Sequence, residues 1–322
     1  MPGGPLPLWL FDRRRRVAGT SLKEYLAAAS LALAGPDETV ADALSDRGPL
    51  WHRFWVPLTV AALNTPPAEA SAELLWSLMK GTFLKGAQAC RPLIAKDSLA
   101  ESLINPAVTY LESKGAELHL NCRLRQIRTE MNRVVELNMA HRPIPVTAEE
   151  RVILALPPLA LKAFLPHLDI PQEVSAIVNA HYLLPGEPGP NCALTRRLPF
   201  LGMVGGTADW LFLREDVASI TVSAADDLAA HENKGIAEAL WHDTAKALDM
   251  AEKPLPPHRI LKEKRATFRQ TPEALKCRPG PDIGFANLFI SGDWTDTGFP
   301  ATIESAIKSG KIAASKCKVT LS

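Results

Sequence analysis

At 322 residues, 47% of them hydrophobic, the chain is long enough for one large domain or two and can fill a sizeable core. Its 36 basic and 35 acidic residues are interspersed and leave a net charge of +1, which argues against a nucleic-acid surface. No apolar stretch approaches the about 20 residues of a membrane span, and five widely spaced cysteines fit a reduced cytosolic protein with neither a disulfide frame nor a zinc site.

The only dense basic run is Arg13 to Arg16. It reads first as a solvated or interdomain face and second as a contact for anionic headgroups. Ser21-Leu-Lys-Glu24 is a capping box, so the spacing predicts an amphipathic helix from Ser21 to Gly35 rather than a signal peptide. Further helices are expected from Thr39, about Leu50, Ser71 and Ser98, with Pro66-Pro67 as the clearest break. Trp51, Phe54, Trp55, Leu58 and Ala62 recur at spacings of three and four. That stripe is either core or the wall of an apolar tunnel.

After Gly115 the period becomes alternating. Strands are expected over Ala116–Ile127 and Arg133–Met139 around a turn at Met131-Asn132, then over Arg151–Leu156, stopped by Pro157-Pro158. Beyond residue 160, Ile177–Leu184, Gly202–Val204, Trp210–Leu213, Ala218–Ser223 and Arg259–Phe268 read as strands and Asp227–Leu248 as one helix. Pro185–Pro190 is a loop and Arg278-Pro-Gly-Pro281 a hinge.

The last segment carries the most chemistry. A short apolar run, Leu288 to Ile290, ends at Gly292-Asp293. A turn with Gly298 and Pro300 follows, and a helix opens at Ala301 or Thr302. A strand aimed at a helix N-terminus suits an anion or an electron-rich ring edge, because free N–H groups and the helix dipole point the same way. Asp293 at the strand's end accepts hydrogen bonds from sugar-like hydroxyls, or is an ordinary turn residue. There is no Gly-x-Ser-x-Gly elbow, no His-x-x-x-His pair and no Walker loop. Any redox or transfer chemistry therefore has to come from a cofactor.

Residue by residue, Gly292-Asp-Trp-Thr-Asp-Thr-Gly-Phe-Pro-Ala-Thr-Ile-Glu304 resembles the C-terminal flavin motif of the amine oxidase/phytoene desaturase superfamily, and most of all that of the hydroxysqualene dehydroxylases. Arg53–Pro67, Val152–Pro158, Gly205–Phe212 and Glu263–Phe268 agree, so the resemblance runs from about Leu22 to Ala314. It implies an α/β (α+β) flavoprotein with FAD as cofactor. Residues 1–114 would be a helical substrate or cap region, 115–160 with 279–318 a partial Rossmann-like FAD domain, and 161–278 a β-rich substrate domain. The implied reaction is reductive dehydroxylation of hydroxysqualene to squalene in hopanoid synthesis. Alternatives are a polyene or carotenoid desaturase, an amine oxidase-like flavoenzyme, or a non-catalytic subunit that holds no FAD alone.

The same resemblance implies site roles. Asp293 would hold the ribityl chain or pyrophosphate, Gly292 would allow close approach, and Thr302-Ile303 would face the pyrimidine edge of the flavin. The backbone at Leu124 would lie beside the adenine. Trp294 and Trp210 either face the cavity or pack, and Glu304 is a flavin contact or a plain helix charge. Asp296 is the candidate proton donor, or a turn cap. Such enzymes carry a Gly-x-Gly-x-x-Gly turn for the pyrophosphate, and no Gly-x-Gly occurs here. The expected partners are therefore an isoprenoid lipid, a partner supplying that dinucleotide-binding segment, and no nucleic acid. The expected location is cytoplasmic, with peripheral contact on the inner face of the cytoplasmic membrane as the alternative. Exposed sheet surface in such a chain is expected to make it poorly soluble or partner-dependent.

Overall fold

In the computed structural model, which describes residues 8–44, 47–86, 88–192, 194, 198–251 and 253–319, the first third of the chain is helical. Ser21 opens α1 (Leu22–Leu26), continued by α2 (Ala28–Leu33). The Glu24 carboxylate accepts from the Ser21 N–H at 2.7 Å and from the Leu50 N–H at 3.0 Å, so the capping box also ties this helix to the next turns. Thr39 caps α3 (Val40–Ala43). A π-helical turn, Trp51–Trp55, leads into α4 (Val56–Leu63), which stops where Asn64 turns left-handed at φ 48°. Ser71 caps α5 (Ala72–Gly81). Trp51, Trp55 and Leu63 pack with Leu31, Leu44 and Leu75 in one cluster, with Phe54 and Leu58 at its margin. The aromatic stripe is thus largely core. A second π turn, Ala100–Ile104, continues as α6 (Asn105–Ser113), no residue of which is buried.

β1 (Leu124–Glu130) and β2 (Arg133–Met139) form a hairpin through Met131 and Asn132, both at positive φ (43° and 61°) as a tight primed turn requires. β3 (Pro143–Pro145) adds to β2. The strand expected from Ala116 begins only at Leu124. Asn121 turns at φ 58°, and Leu118 and Leu120 are exposed, so their alternation has no core to face. β4 (Val152–Leu154) is followed by α7 (Pro158–Lys162), which opens on Pro158.

β5 (Val174–Leu183), β6 (Phe200–Gly202), β7 (Trp210–Arg214), β8 (Val217–Val222) and β9 (His258–Phe268) make an antiparallel sheet in the order β6-β7-β8-β5-β9. Alternate residues of β5 (Ala176, Val178, Ala180, Tyr182) are buried in a cluster with Ile236, Leu240 and Trp241. The helix expected over 227–248 is two: α8 (Asp226–Ala230) and α9 (Asn233–Ala247). The break follows from the extended backbone at His231 and Glu232, where the His231 ring takes up the Asp227 carbonyl at 2.9 Å. α10 (Pro272–Lys276) leads to β10 (Leu288–Ile290), which pairs in parallel with β4, Leu288 facing Val152 and Ile290 facing Leu154. α11 (Ile303–Val319) closes the fold. β4, β10, Val134, Leu161, Ile170, Phe268 and Trp294 share a third cluster.

Candidate functional site

β10 is short and fully buried, and it delivers the chain to the start of α11 through a turn with little freedom. The Ser291 and Ser309 hydroxyls lie 2.9 Å apart, and Ser309 Oγ accepts from the Gly292 N–H at 3.0 Å. Ser305 Oγ donates to the Asp293 carbonyl at 3.0 Å and lies 2.6 Å from Thr297 Oγ1. Two serines four residues apart on α11, Ser305 and Ser309, therefore hold the strand end against the helix. Thr302 begins that helix, its hydroxyl accepting from the Ser305 N–H at 3.3 Å. The N–H groups before Ser305 remain without intrahelical partners, as in any first turn.

Beside this turn lies a cleft of about 580 Å³, a size common for ligand sites. One wall is the segment after β4, from Ala155 to Ala160. Residues of β9 (Glu263, Arg265, Thr267, Phe268) and Gly292, Asp293 and Trp294 complete the lining. Asp293 is half-buried. Burial pushes its carboxyl above the usual carboxylate range, while its own N–H, the Trp294 N–H and Arg278 pull it down. A carboxylate oxygen pair with two backbone donors still has lone pairs to offer hydroxyl groups. The Asp293 acceptor and the apolar wall of the cleft fit a flavin with its ribityl chain, and the bond from Ser305 ties this loop to the first turn of α11.

The remaining expected residues are placed as follows. Gly292 has no room for a side chain, since a Cβ there would lie 2.4 Å from Trp294 Nε1. Trp294 is 1% exposed, and its indole N–H donates to the Leu156 carbonyl at 2.9 Å, so its ring backs the turn from the core side. Thr302 is half-buried, and Ile303 and Glu304 are exposed at the open end of α11. Asp296 is exposed and accepts from the Gly298 N–H at 3.2 Å, the turn-cap geometry. Leu124 lies at the start of β1, facing Met139 and packed at the margin of the third cluster. Trp210 sits on β7 against Phe200, 6.1 Å between ring centroids, away from the cleft lining.

Two residues that sequence patterns do not single out organise the site. Gln270 is fully buried. Its Oε1 accepts from the Ala301 N–H at 2.9 Å, its Nε2 donates to the Leu63 carbonyl at 2.6 Å, and its N–H donates to Thr65 Oγ1 at 3.0 Å. It thus joins the helical third to the loop before α11. Arg278, in the hinge, reaches the carbonyls of residues 293 to 295. A buried charge next to a proline–glycine hinge is the only signal that could have marked it.

Residues 7–317 match the family described as flavin containing amine oxidoreductase. The chain is 41% identical over 312 residues to a hydroxysqualene dehydroxylase of Sinorhizobium fredii, covering 97% of this chain and 73% of that one. It is 38% identical over 314 residues to the hydroxysqualene dehydroxylase of Zymomonas mobilis, covering 98% and 74%. In fold it is similar to the crystal structure of a putative protoporphyrinogen oxidase from Exiguobacterium sp. 255-15, with TM-score 0.61 at 15% identity over 99% of this chain and 77% of that one.

Proposed function

The chain belongs to the flavin-containing amine oxidoreductase family, and we propose that it is an FAD-dependent hydroxysqualene dehydroxylase acting in squalene and hopanoid synthesis. The observation that carries this reading is that Asp293 lines the cleft just beyond a parallel strand pair, its carbonyl bonded by Ser305 of the first turn of α11. The substrate class is an isoprenoid, a long apolar chain with one allylic hydroxyl.

The reaction exchanges a C–O bond for C–H. A hydride adds to the carbon, and the hydroxyl takes a proton and leaves as water. Reduced FAD, when bound, supplies the hydride. Asp293 would accept hydrogen bonds from ribityl hydroxyls. The first N–H groups of α11 would sit at the pyrimidine edge, where the helix dipole favours negative charge. Ala155 to Pro158 and Phe268 supply the dry side of the cleft, which suits a hydrocarbon and keeps water from the reacting carbon. Asp296, exposed beside this turn, is proposed as the proton source.

The proposal extends to assembly and location. A segment with a Gly-x-Gly-x-x-Gly turn, a motif absent from the 322 residues, would complete the pyrophosphate site, whether supplied by a partner or in the same chain. The enzyme works in the cytoplasm, and the exposed Phe11 with Arg13 to Arg15 suits contact with an anionic membrane face; flotation with anionic vesicles tests that contact. The main test is the visible absorbance of the 322-residue chain after incubation with FAD and gel filtration. Anaerobic reduction and addition of hydroxysqualene follow, with the product read by gas chromatography. Bound flavin and squalene support the reading. Flavin retained only when the partner segment is added supports the assembly clause. A chain that holds no flavin in either case overturns the proposal, as does one that dehydrogenates a polyene instead.

A further inference from the structure

Arg278 is 8% exposed, yet it forms no direct ion pair with a carboxylate among the described residues. Its donors go to backbone. Nε donates to the Trp294 carbonyl at 3.2 Å; Nη2 donates to the carbonyls of Asp293 at 3.2 Å and Thr295 at 2.5 Å and lies 3.5 Å from Thr297 Oγ1. The guanidinium carbon lies over the Phe268 ring, 5.3 Å from its centroid. Three consecutive carbonyls turned toward one point would repel one another without a cation between them. A planar group with five N–H donors answers that geometry, and a lysine ammonium does not. Two further bonds hold the same turn from outside: the Asp296 N–H to the Pro279 carbonyl at 2.9 Å, and Lys308 Nζ to the Thr297 carbonyl at 2.7 Å.

We propose that Arg278 is the positioning residue of the cofactor site. By gathering the carbonyls of residues 293 to 295 it sets the Asp293 carboxylate toward the cleft and fixes where α11 begins. This rests on the flavin reading above. The burial of Arg278 serves that role: in a low-dielectric setting each bond to a carbonyl is stronger, and the turn cannot relax by recruiting water. The cost shows in the guanidinium itself, which burial disfavours in its charged form while Asp296, Asp293 and Glu73 favour it.

The test compares R278K and R278M with the wild-type 322-residue chain by two readouts. Hydrogen exchange of the chain without flavin is followed by mass spectrometry, and FAD affinity is followed by fluorescence between pH 5 and 8. Exchange over residues 293–299 is expected to speed up at least tenfold in both variants and to stay unchanged over β5 and β8. The FAD dissociation constant is expected to rise at least tenfold in both. The charged groups around the Asp293 turn are Asp296 on its own loop, Arg278 in the hinge before β10 with Glu73 of α5 beside it, Glu263 and Arg265 on β9, and Lys308 on α11. Removing the Arg278 cation moves the acid limb of FAD binding to higher pH in R278M. R278K keeps the charge and leaves that limb in place, so the lysine variant, which also guards against misfolding of the methionine one, separates geometry from charge. Wild-type affinity and exchange in both variants overturn the proposal, as does faster exchange spread evenly over β5 and β8. A wild-type chain that takes up no FAD even with the partner segment overturns the functional reading instead, while the exchange data still decide the role of Arg278.

Discussion

Replacing Gly292 by alanine puts a methyl group 2.4 Å from Nε1, 2.7 Å from Cδ1 and 3.2 Å from Cε2 of Trp294. The indole has nowhere to retreat, being 1% exposed and fixed by its 2.9 Å bond to the Leu156 carbonyl. Overpacking of this kind costs about 1–3 kcal/mol. Pushing the ring off its carbonyl leaves a buried donor unpaired for about 1–3 kcal/mol more. A G292A chain without flavin is thus expected to lose about 2–6 kcal/mol, read as a lower urea midpoint at unchanged slope. The double-mutant cycle with W294F isolates the cause. Phenylalanine removes Nε1 and the five-membered ring, so G292A should cost under about 1 kcal/mol in that background, a coupling above about 1 kcal/mol. A glycine needed only for close approach of a cofactor predicts the opposite: no loss of stability in the absence of flavin, and additive mutations. Either result would refute the packing argument.

Gln270→Met should destabilise the chain by about 1–3 kcal/mol, because it leaves the Ala301 N–H unpaired in a dry place while the Leu63 carbonyl keeps the Thr65 hydroxyl at 2.9 Å; faster hydrogen exchange at Ala301 checks it. Asp293→Asn should weaken FAD retention at least tenfold while leaving the flavin-free chain as stable as wild type or more so at neutral pH. The sign follows from the raised carboxyl of Asp293: the folded state binds the proton more tightly than the unfolded state, so stability falls as pH rises from the unfolded value near 3.8 through the higher folded one, and thermal midpoints of the two chains converge below that window. Asp296→Ala removes an exposed cap on the Gly298 N–H and should cost about 0.5–1 kcal/mol; full turnover in that variant would remove Asp296 from the list of proton donors. Tyr182→Phe should cost about 0.5–1.5 kcal/mol by removing one buried hydrogen bond to the Ala237 carbonyl, which stays in the α9 ladder, measured as a midpoint shift with FAD affinity unchanged.

Features written in neighbouring residues were legible in the sequence. The Ser21–Glu24 box, the Met131-Asn132 turn and the stop at Pro157-Pro158 each depend on contacts within a few positions. The run from Leu288 to Glu304 was legible for the same reason, because strand, turn and helix follow one another without interruption. Residues 116–123 alternate as a strand does but face no buried surface, so periodicity alone over-extends β1. The break at His231 and Glu232 is invisible in composition, since a polar pair inside an amphipathic pattern is ordinary on a helix surface. Gln270 and Arg278 were hidden for another reason. Their partners lie as far away as Leu63 and Thr297, and one buried amide or guanidinium has no period.

The arrangement of the site follows from which groups are allowed to be satisfied. Trp294, Gln270 and Arg278 sit behind the turn, and each side chain finds its hydrogen-bond partner inside the protein. Asp293 sits in front, half-buried and held above its ordinary carboxylate range because burial outweighs the donors the chain gives it. A carboxylate left short of donors in a cleft is destabilising to the bare chain and favourable to any ligand that brings hydroxyl groups. The rigid set behind the turn keeps Asp293 from relaxing toward water or toward Arg278, where it would lose that preference. At this turn, hydrogen bonding is thus concentrated on the residues that position it, and the shortfall falls on Asp293, the residue proposed to meet the cofactor.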